Sequence, residues 1–185
     1  MTANRTVALG LIGAGMVGQL AHLANFTSLP GCRVAALADL RPDLAQAAAS
    51  RFGVPKVYPS HRELMQDPEV EAVVVVTRRP ATGPIVLDAL AAGRHVLSEK
   101  PMAHTLAQGE KLVQAAERAS LTYAVGFMKR HDAGVQHAKA LRDAGAICDH
   151  TFVVFFYGVF PGAFDTMKEM NLSLHHLATW WDVLE

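Results

Sequence analysis

Three glycines, an aspartate and a lysine have spacings that could do chemistry. Gly13-Ala14-Gly15-Met16-Val17-Gly18 follows the short apolar run 7–12 and leads into a stretch rich in Leu and Ala. A glycine turn of this form, set between a strand and a helix, cradles a dinucleotide pyrophosphate. Gly13 allows the sharp turn, Gly15 lets backbone N–H groups reach the phosphates with no Cβ in the way, and Gly18 lets helix and strand pack closely. Met16 and Val17 belong to the same turn and are counted with the cofactor-binding residues, at the positive end of the helix that follows. A second β-like run, 33–38, ends in Asp39, about 20 residues beyond the glycines, where an acid that hydrogen-bonds a ribose belongs. Asp39 favours NAD, because its charge would repel a 2'-phosphate. Arg41, two residues on, could swing over the ribose and offset that repulsion, which keeps NADP as the alternative.

The lysine is Lys100, in Glu99-Lys100-Pro101 just after the run 95–98. A residue past the carboxyl end of a parallel strand sits in the crevice where a substrate lies, and the proline restricts it to an extended conformation. An ammonium beside a positively charged nicotinamide is expected to have its pKa lowered, which suits proton exchange with a substrate hydroxyl. Glu99 is expected to orient the turn. Asn171 and His175 are four residues apart, so on a helix they share a face.

The elements that would hold these residues alternate. Pro42 opens a helix to Ser50; 57–58 is a minimal strand; Ser60-His61-Arg62-Glu63 resembles a capping box that starts a short helix. The run 72–77 is continuous and β-branched, as in a strand buried on both faces of a parallel sheet. A helix over 82–92 closed by Gly93, a strand 95–98, an amphipathic helix 105–120 and a strand 121–125 follow. This predicts an α/β fold, a doubly wound parallel Rossmann sheet over 1–126, followed over 127–185 by the start of a second α+β domain. There the pattern gives a helix 132–144 closed by Gly145, an aromatic strand 151–157, a break at Phe160-Pro161-Gly162, and a last helix from Glu169 to about Val183 that carries Asn171, His175, Trp180 and Trp181. A single aromatic strand would be poorly covered, so the second domain is expected to be truncated and a longer form to exist.

Composition sets outer bounds. Hydrophobic residues make up 51% and charged residues 18%, and 17 basic residues balance 17 acidic ones. Nothing in that balance points to nucleic acid or an anionic membrane, so a small, locally recognised partner is expected. Cys32 and Cys148 stand far apart, which suggests neither a disulfide framework nor a zinc site and fits a cytoplasmic setting. The apolar run after Arg5 could imitate a signal peptide, but Asp39 and the β/α pattern beyond it require that strand to stay.

The segment Gly93-Arg94-His95-Val96-Leu97-Ser98-Glu99-Lys100-Pro101 closely resembles the Gfo/Idh/MocA oxidoreductases, with the glycine turn, the second-strand acid and the late histidine in matching order. Gly126-Phe127-Met128-Lys129-Arg130-His131-Asp132 resembles the family's passage into its second domain. The resemblance implies NAD(P)-dependent interconversion of an alcohol and a ketone on a sugar, sugar derivative or cyclitol, and a homo-oligomer in the full-length form. It assigns Lys100 and His175 to catalysis, with His175 and Asn171 at the substrate. The family commonly has Asp-x-x-x-His where this chain has Asn171, and an amide cannot support a charged imidazole. After the fourth strand the family often shows Thr-Pro-Asn; here Thr77, counted with the cofactor residues, is followed by Arg78-Arg79-Pro80. These arginines meet a phosphate or an acidic substrate, or lie in a solvated loop. A non-catalytic dinucleotide-binding regulator and an inactive fragment are the competing readings.

Overall fold

The computed structural model describes residues 5–145, 150–156, 168–169 and 173–179, with 150–156 and 173–179 described by backbone alone. The chain divides into two compact units, Met1–Phe127 and Met128–Glu185.

In the first unit, six strands form one parallel sheet: β1 (Val7–Ile12), β2 (Cys32–Ala38), β3 (Lys56–Tyr58), β4 (Ala72–Val75), β5 (His95–Ser98) and β6 (Tyr123–Val125), in the order β3-β2-β1-β4-β5-β6. The order reverses beside β1, so its carboxyl end faces the crevice between two oppositely wound halves. Strands buried on both faces need apolar residues at every position. In β4, Val73 and Val75 join Ala36, Ala38, Leu64, Val86 and Leu112 on one face. Val74 joins Leu11, Leu23, Leu37 and Ala48 on the other.

Helix α1 has a π-wound part, Gly18–Leu23, and an α-helical end, Ala24–Phe26. With α2 (Pro42–Phe52) it covers the second face, while α3 (His61–Gln66), α4 (Arg79–Ala91) and α5 (Leu106–Ala119) cover the first. Ser60 caps α3 as its spacing predicts: its hydroxyl accepts from the Glu63 N–H at 3.3 Å, and the Glu63 carboxylate reaches back to that hydroxyl, which donates to it at 2.9 Å, in place of the reciprocal backbone bond of a full capping box. Helix α4 begins three residues earlier than expected. Pro80 falls in its first turn, where a missing N–H costs nothing, so the proline opens this helix where it had been read as loop.

In the second unit, a 3₁₀ turn, Met128–His131, precedes α6 (Ala133–Asp143), whose N-cap Asp132 accepts from the N–H groups of Gly134 and Val135. Within the stretch 169–183, expected as a helix, Ser173–Thr179 is instead a strand, β8, parallel to β7 (His150–Phe156), with His175 in register with Phe152. The aromatic strand is therefore not single. A strand edge offers a row of unpaired N–H and C=O groups, and satisfying them outweighs the weak helix preference of Leu174 to Ala178. The helical face shared by Asn171 and His175 is accordingly withdrawn. Asn171, Tyr157, the 160–162 break, Cys148, Trp180 and Trp181 lie outside the described residues.

At the amino-terminal edge of the sheet, Asp67 is almost enclosed, its side chain 2% exposed. It accepts from Lys56 Nζ at 2.8 Å, the Tyr58 hydroxyl at 3.0 Å and the Glu69 N–H at 3.0 Å. The Lys56 ammonium, outweighing burial, holds the Asp67 carboxyl below its usual range. A carboxylate with a depressed folded pKa contributes stability that is present above its unfolded pKa and lost as pH falls through the folded one. Asp67→Asn should therefore lower the urea midpoint at pH 7. It should also flatten the decline below about pH 4, and equal acid dependence in wild type and variant would contradict this account.

Candidate functional site

The glycine turn lies where β1, β4 and α1 meet. Gly13 has φ +107°, and a Cβ there would stand 2.1 Å from the Val76 carbonyl oxygen. A Cβ on Gly18 would stand 2.1 Å from the Gly13 carbonyl oxygen. Both glycines are thus demanded by the protein's own backbone. Gly15 differs. A Cβ added there meets nothing within 4 Å, so the fold itself leaves room for a side chain, and the space over Gly15 belongs to the crevice. Gln19 Nε2 donates to the Ala14 carbonyl at 2.9 Å and ties the turn to its helix.

The crevice, of about 1220 Å³, is lined by Gly13, Gly15, Met16, Val17 and Gly18, by Asp39 and Arg41, by Thr77, and by Glu99 and Lys100. All ten of the cofactor residues read from the sequence therefore share one cleft, although they come from the ends of β1, β2, β4 and β5. Thr77 Oγ1 pairs with buried Thr82 Oγ1 at 3.1 Å, which links the end of β4 to α4.

Asp39 is already engaged. Its Oδ2 accepts from the Ala14 N–H at 2.8 Å and from Arg41 Nη2 at 3.1 Å; Oδ1 accepts from Arg41 Nε at 2.9 Å and the Arg41 N–H at 3.0 Å. Burial pushes this carboxyl up, but the Arg41 guanidinium and the two backbone N–H groups outweigh it and hold Asp39 below the usual carboxylate range.

At the other end of the crevice, Lys100 is exposed and its peptide bond to Pro101 is cis. Its backbone N–H donates to Glu99 Oε2 at 3.2 Å, as expected of a glutamate that orients this turn. The sequence reading missed the partner that holds Glu99 in turn. His22 Nε2 lies 2.9 Å from Glu99 Oε1, with side chains only 13% and 18% exposed, and the imidazole stacks on Phe26. His22 had no motif of its own; its separation from Glu99 by 77 positions leaves no local signal. His61, 3.0 Å from Asp88, and Arg62 were likewise missed as crevice residues. His175 belongs to the other unit and is placed only as a strand residue.

The family described as oxidoreductase, NAD-binding Rossmann fold (GFO_IDH_MocA) matches residues 7–127. The chain belongs to the Gfo/Idh/MocA oxidoreductases. Among curated proteins, an inositol 2-dehydrogenase of Pseudomonas fluorescens is 42% identical over 145 residues, 75% of this chain and 42% of that protein. An inositol 2-dehydrogenase/D-chiro-inositol 3-dehydrogenase of Lacticaseibacillus casei is 37% identical over 144 residues, covering 76% and 41%. The chain thus spans less than half the length of these relatives. Among solved structures, the scyllo-inositol dehydrogenase of Lactobacillus casei with bound NAD(H) and scyllo-inositol superposes with a TM-score of 0.74 at 26% identity, covering 89% of this chain and 49% of that one. A 3-ketoreductase from Actinomadura kijaniata in complex with TDP-benzene and NADP, in an open conformation, gives 0.75 at 27% identity, covering 85% and 50%.

For a Gfo/Idh/MocA Rossmann unit, the fit to a dinucleotide rests on Gly15, a small residue with space above it that no protein atom claims. The three glycines should therefore separate on substitution. Gly13→Ala and Gly18→Ala should fold poorly, because backbone must move. Gly15→Ala should melt within a few degrees of wild type yet lose about tenfold or more in NADH affinity, as its Cβ intrudes on the pyrophosphate. Thermal melts and NADH fluorescence titrations of the three variants measure this directly; unchanged NADH affinity in Gly15→Ala would place the phosphates elsewhere.

Proposed function

We propose that this chain carries the dinucleotide site and the principal proton acceptor of an NAD(P)-dependent dehydrogenase that interconverts a secondary alcohol and a ketone on a cyclitol, sugar or sugar derivative. The observation that carries the reading is that Lys100 lines the same crevice as the glycine turn and Asp39. Similarity to inositol 2-dehydrogenases supports the cyclitol class. When bound, a nicotinamide dinucleotide supplies the hydride acceptor. What remains for the protein is to orient the two partners and to take up the hydroxyl proton as the C=O forms.

Lys100 is assigned the proton. Its side chain springs from the end of β5, and its main chain is fixed through Glu99. Gly15 to Gly18 and the amino end of α1 take the pyrophosphate, Asp39 and Arg41 face the adenosine ribose, and Thr77 holds the loop after β4. Residues 1–126 form the dinucleotide domain in this reading, and 127–185 begin a substrate and oligomerisation domain. His175 is assigned to the substrate hydroxyl through the resemblance alone, since its helical pairing with Asn171 is gone.

The test is a screen of inositols and other polyols, followed by NADH absorbance, on this chain and on any longer form of the protein. With a substrate in hand, Lys100→Met should lower kcat by about 10²- to 10⁴-fold, the usual contribution of a positioned acid–base group, with little change in NADH affinity. His175→Asn should chiefly raise KM. Near-normal turnover in Lys100→Met, or a greater loss of kcat in His175→Asn, would refute the assigned roles.

A further inference from the structure

We propose that His22 is a positioning residue for Lys100: by holding the Glu99 carboxylate against α1, it keeps that carboxylate off the lysine's ammonium and leaves the amine free to take a proton. This rests on the assignment of the proton to Lys100 above and deepens it.

A lysine accepts a proton only as the neutral amine, and a carboxylate within about 4–6 Å favours the charged form instead. Glu99 is the nearest such group in the chain, because it directly precedes Lys100. The structure turns it away. Glu99 Oε1 lies 2.9 Å from His22 Nε2, and Oε2 accepts from the Lys100 backbone N–H at 3.2 Å, so both oxygens are engaged elsewhere than with the ammonium. A carboxylate only accepts, so the imidazole proton sits on Nε2 and the neutral ring suffices. Gly126 closes another side: a Cβ there would stand 3.5 Å from Glu99 Oε1, which leaves the carboxylate packed between α1 and the exit of β6. Among the described residues Lys100 forms no ion pair. The other acids that line the crevice are held in the same way, Asp39 by Arg41 and Asp88 by His61 and Arg62. Each carboxylate there has a basic partner other than the lysine.

The winding of α1 puts His22 in place. Gly18–Leu23 is π-wound, with hydrogen bonds from each carbonyl to the fifth residue on, so residues five apart lie near one face. Gly18 and Leu23 are the buried residues of this segment. His22 stands beside Leu23 at the edge of that face, its side chain 13% exposed and its ring stacked on Phe26 with centroids 6.0 Å apart. Phe26 lies four residues on, in the α-helical end of α1. A ring on one side and a carboxylate on the other thus hold the imidazole. The Glu99 side chain is only 18% exposed, so an oxygen that lost the imidazole would be poorly hydrated and would turn to the next cation within reach. That cation is Lys100, on the adjacent residue.

Acetic anhydride, which acylates only the neutral amine, tests the proposal on the full chain. With trace reagent at one pH, peptide mass spectrometry gives the acetylation rate of Lys100 relative to exposed Lys111. His22→Phe keeps a ring on Phe26 but loses the donor. It should slow Lys100 by about threefold or more, a modest change because the lysine is exposed. His22→Leu, a second variant without a donor, should do the same. His22→Gln, whose amide can donate to Glu99, should retain most of the wild-type rate. Adding Glu99→Gln to His22→Phe should restore the rate, since no carboxylate is left to pair with the amine; general damage to the fold would not be reversed by a second substitution. Thermal melts and NADH binding check that each variant is folded. Equal rates in wild type, His22→Phe and His22→Leu overturn the inference and leave the proposed function standing. A loss that Glu99→Gln does not restore makes His22 a packing residue only and also overturns it. Near-normal turnover in Lys100→Met removes the proposed function itself, and the inference with it.

Discussion

Two carbonyl oxygens, one at the carboxyl end of β1 and one at that of β4, govern the geometry of the first unit. The Val76 oxygen approaches Gly13 and the Gly13 oxygen approaches Gly18, each so closely that a Cβ would lie 2.1 Å away. Such contacts bring three pieces of backbone together with no side chain between them. They place the start of α1 over the end of β1 and the exit of β4 beside it, and they leave Ala14 fully buried with its N–H turned to Asp39. The crevice is the space left outside this junction. A parallel sheet whose order reverses at β1 opens there in any sequence; here the backbone contacts fix its floor.

Each charged wall of that crevice is braced by a contact far apart in sequence. Asp39 binds the glycine turn through Ala14, and Glu99 binds α1 through His22. The helix that follows the glycines is therefore tied to the end of β2 and to the end of β5. Partial burial strengthens both ties, because water competes less for the groups involved. Glu99 is the clearer case: one oxygen takes the imidazole and the other takes the Lys100 N–H. The lysine's backbone is thereby positioned relative to the glycine turn without touching it.

How much of this was legible in the sequence follows from how local each signal is. The β-branched run of the fourth strand, the Ser60 cap and the glycine turn each declare themselves within a few residues, and so the doubly wound parallel sheet and the crevice at its carboxyl ends could be read in advance. Pro80 misled because proline marks loops more often than first turns; the Ala81 N–H, donating to the Arg78 carbonyl at 2.9 Å, and the Thr82 hydroxyl, reaching the same oxygen at 3.4 Å, show the helix already under way. The strand at 173–179 was illegible for a different reason. Leu and Ala lean toward helix and the two histidines toward neither state, and the decision belongs to β7, whose edge lies more than 15 residues upstream and recruits a segment that can pair with it. His22, His61 and Arg62 became site residues only through folding; no spacing ties them to Asp39 or Lys100.

The same distinction between local and distant signals bears on what each unit of this chain can do. Every group assigned to the nucleotide lies between Gly13 and Lys100, within one compact unit whose contacts close among themselves. The proposed recognition of a dinucleotide therefore draws on groups of the first unit. An alcohol is different: its hydroxyl must be held while its proton leaves, and a single flexible ammonium fixes distance poorly and stereochemistry not at all. The relatives, more than twice the length of the stretch they share with this chain, have the additional chain from which a second polar wall can be built. Binding of a nucleotide and turnover of an alcohol are thus separable demands, and the groups proposed for the first all lie within one unit.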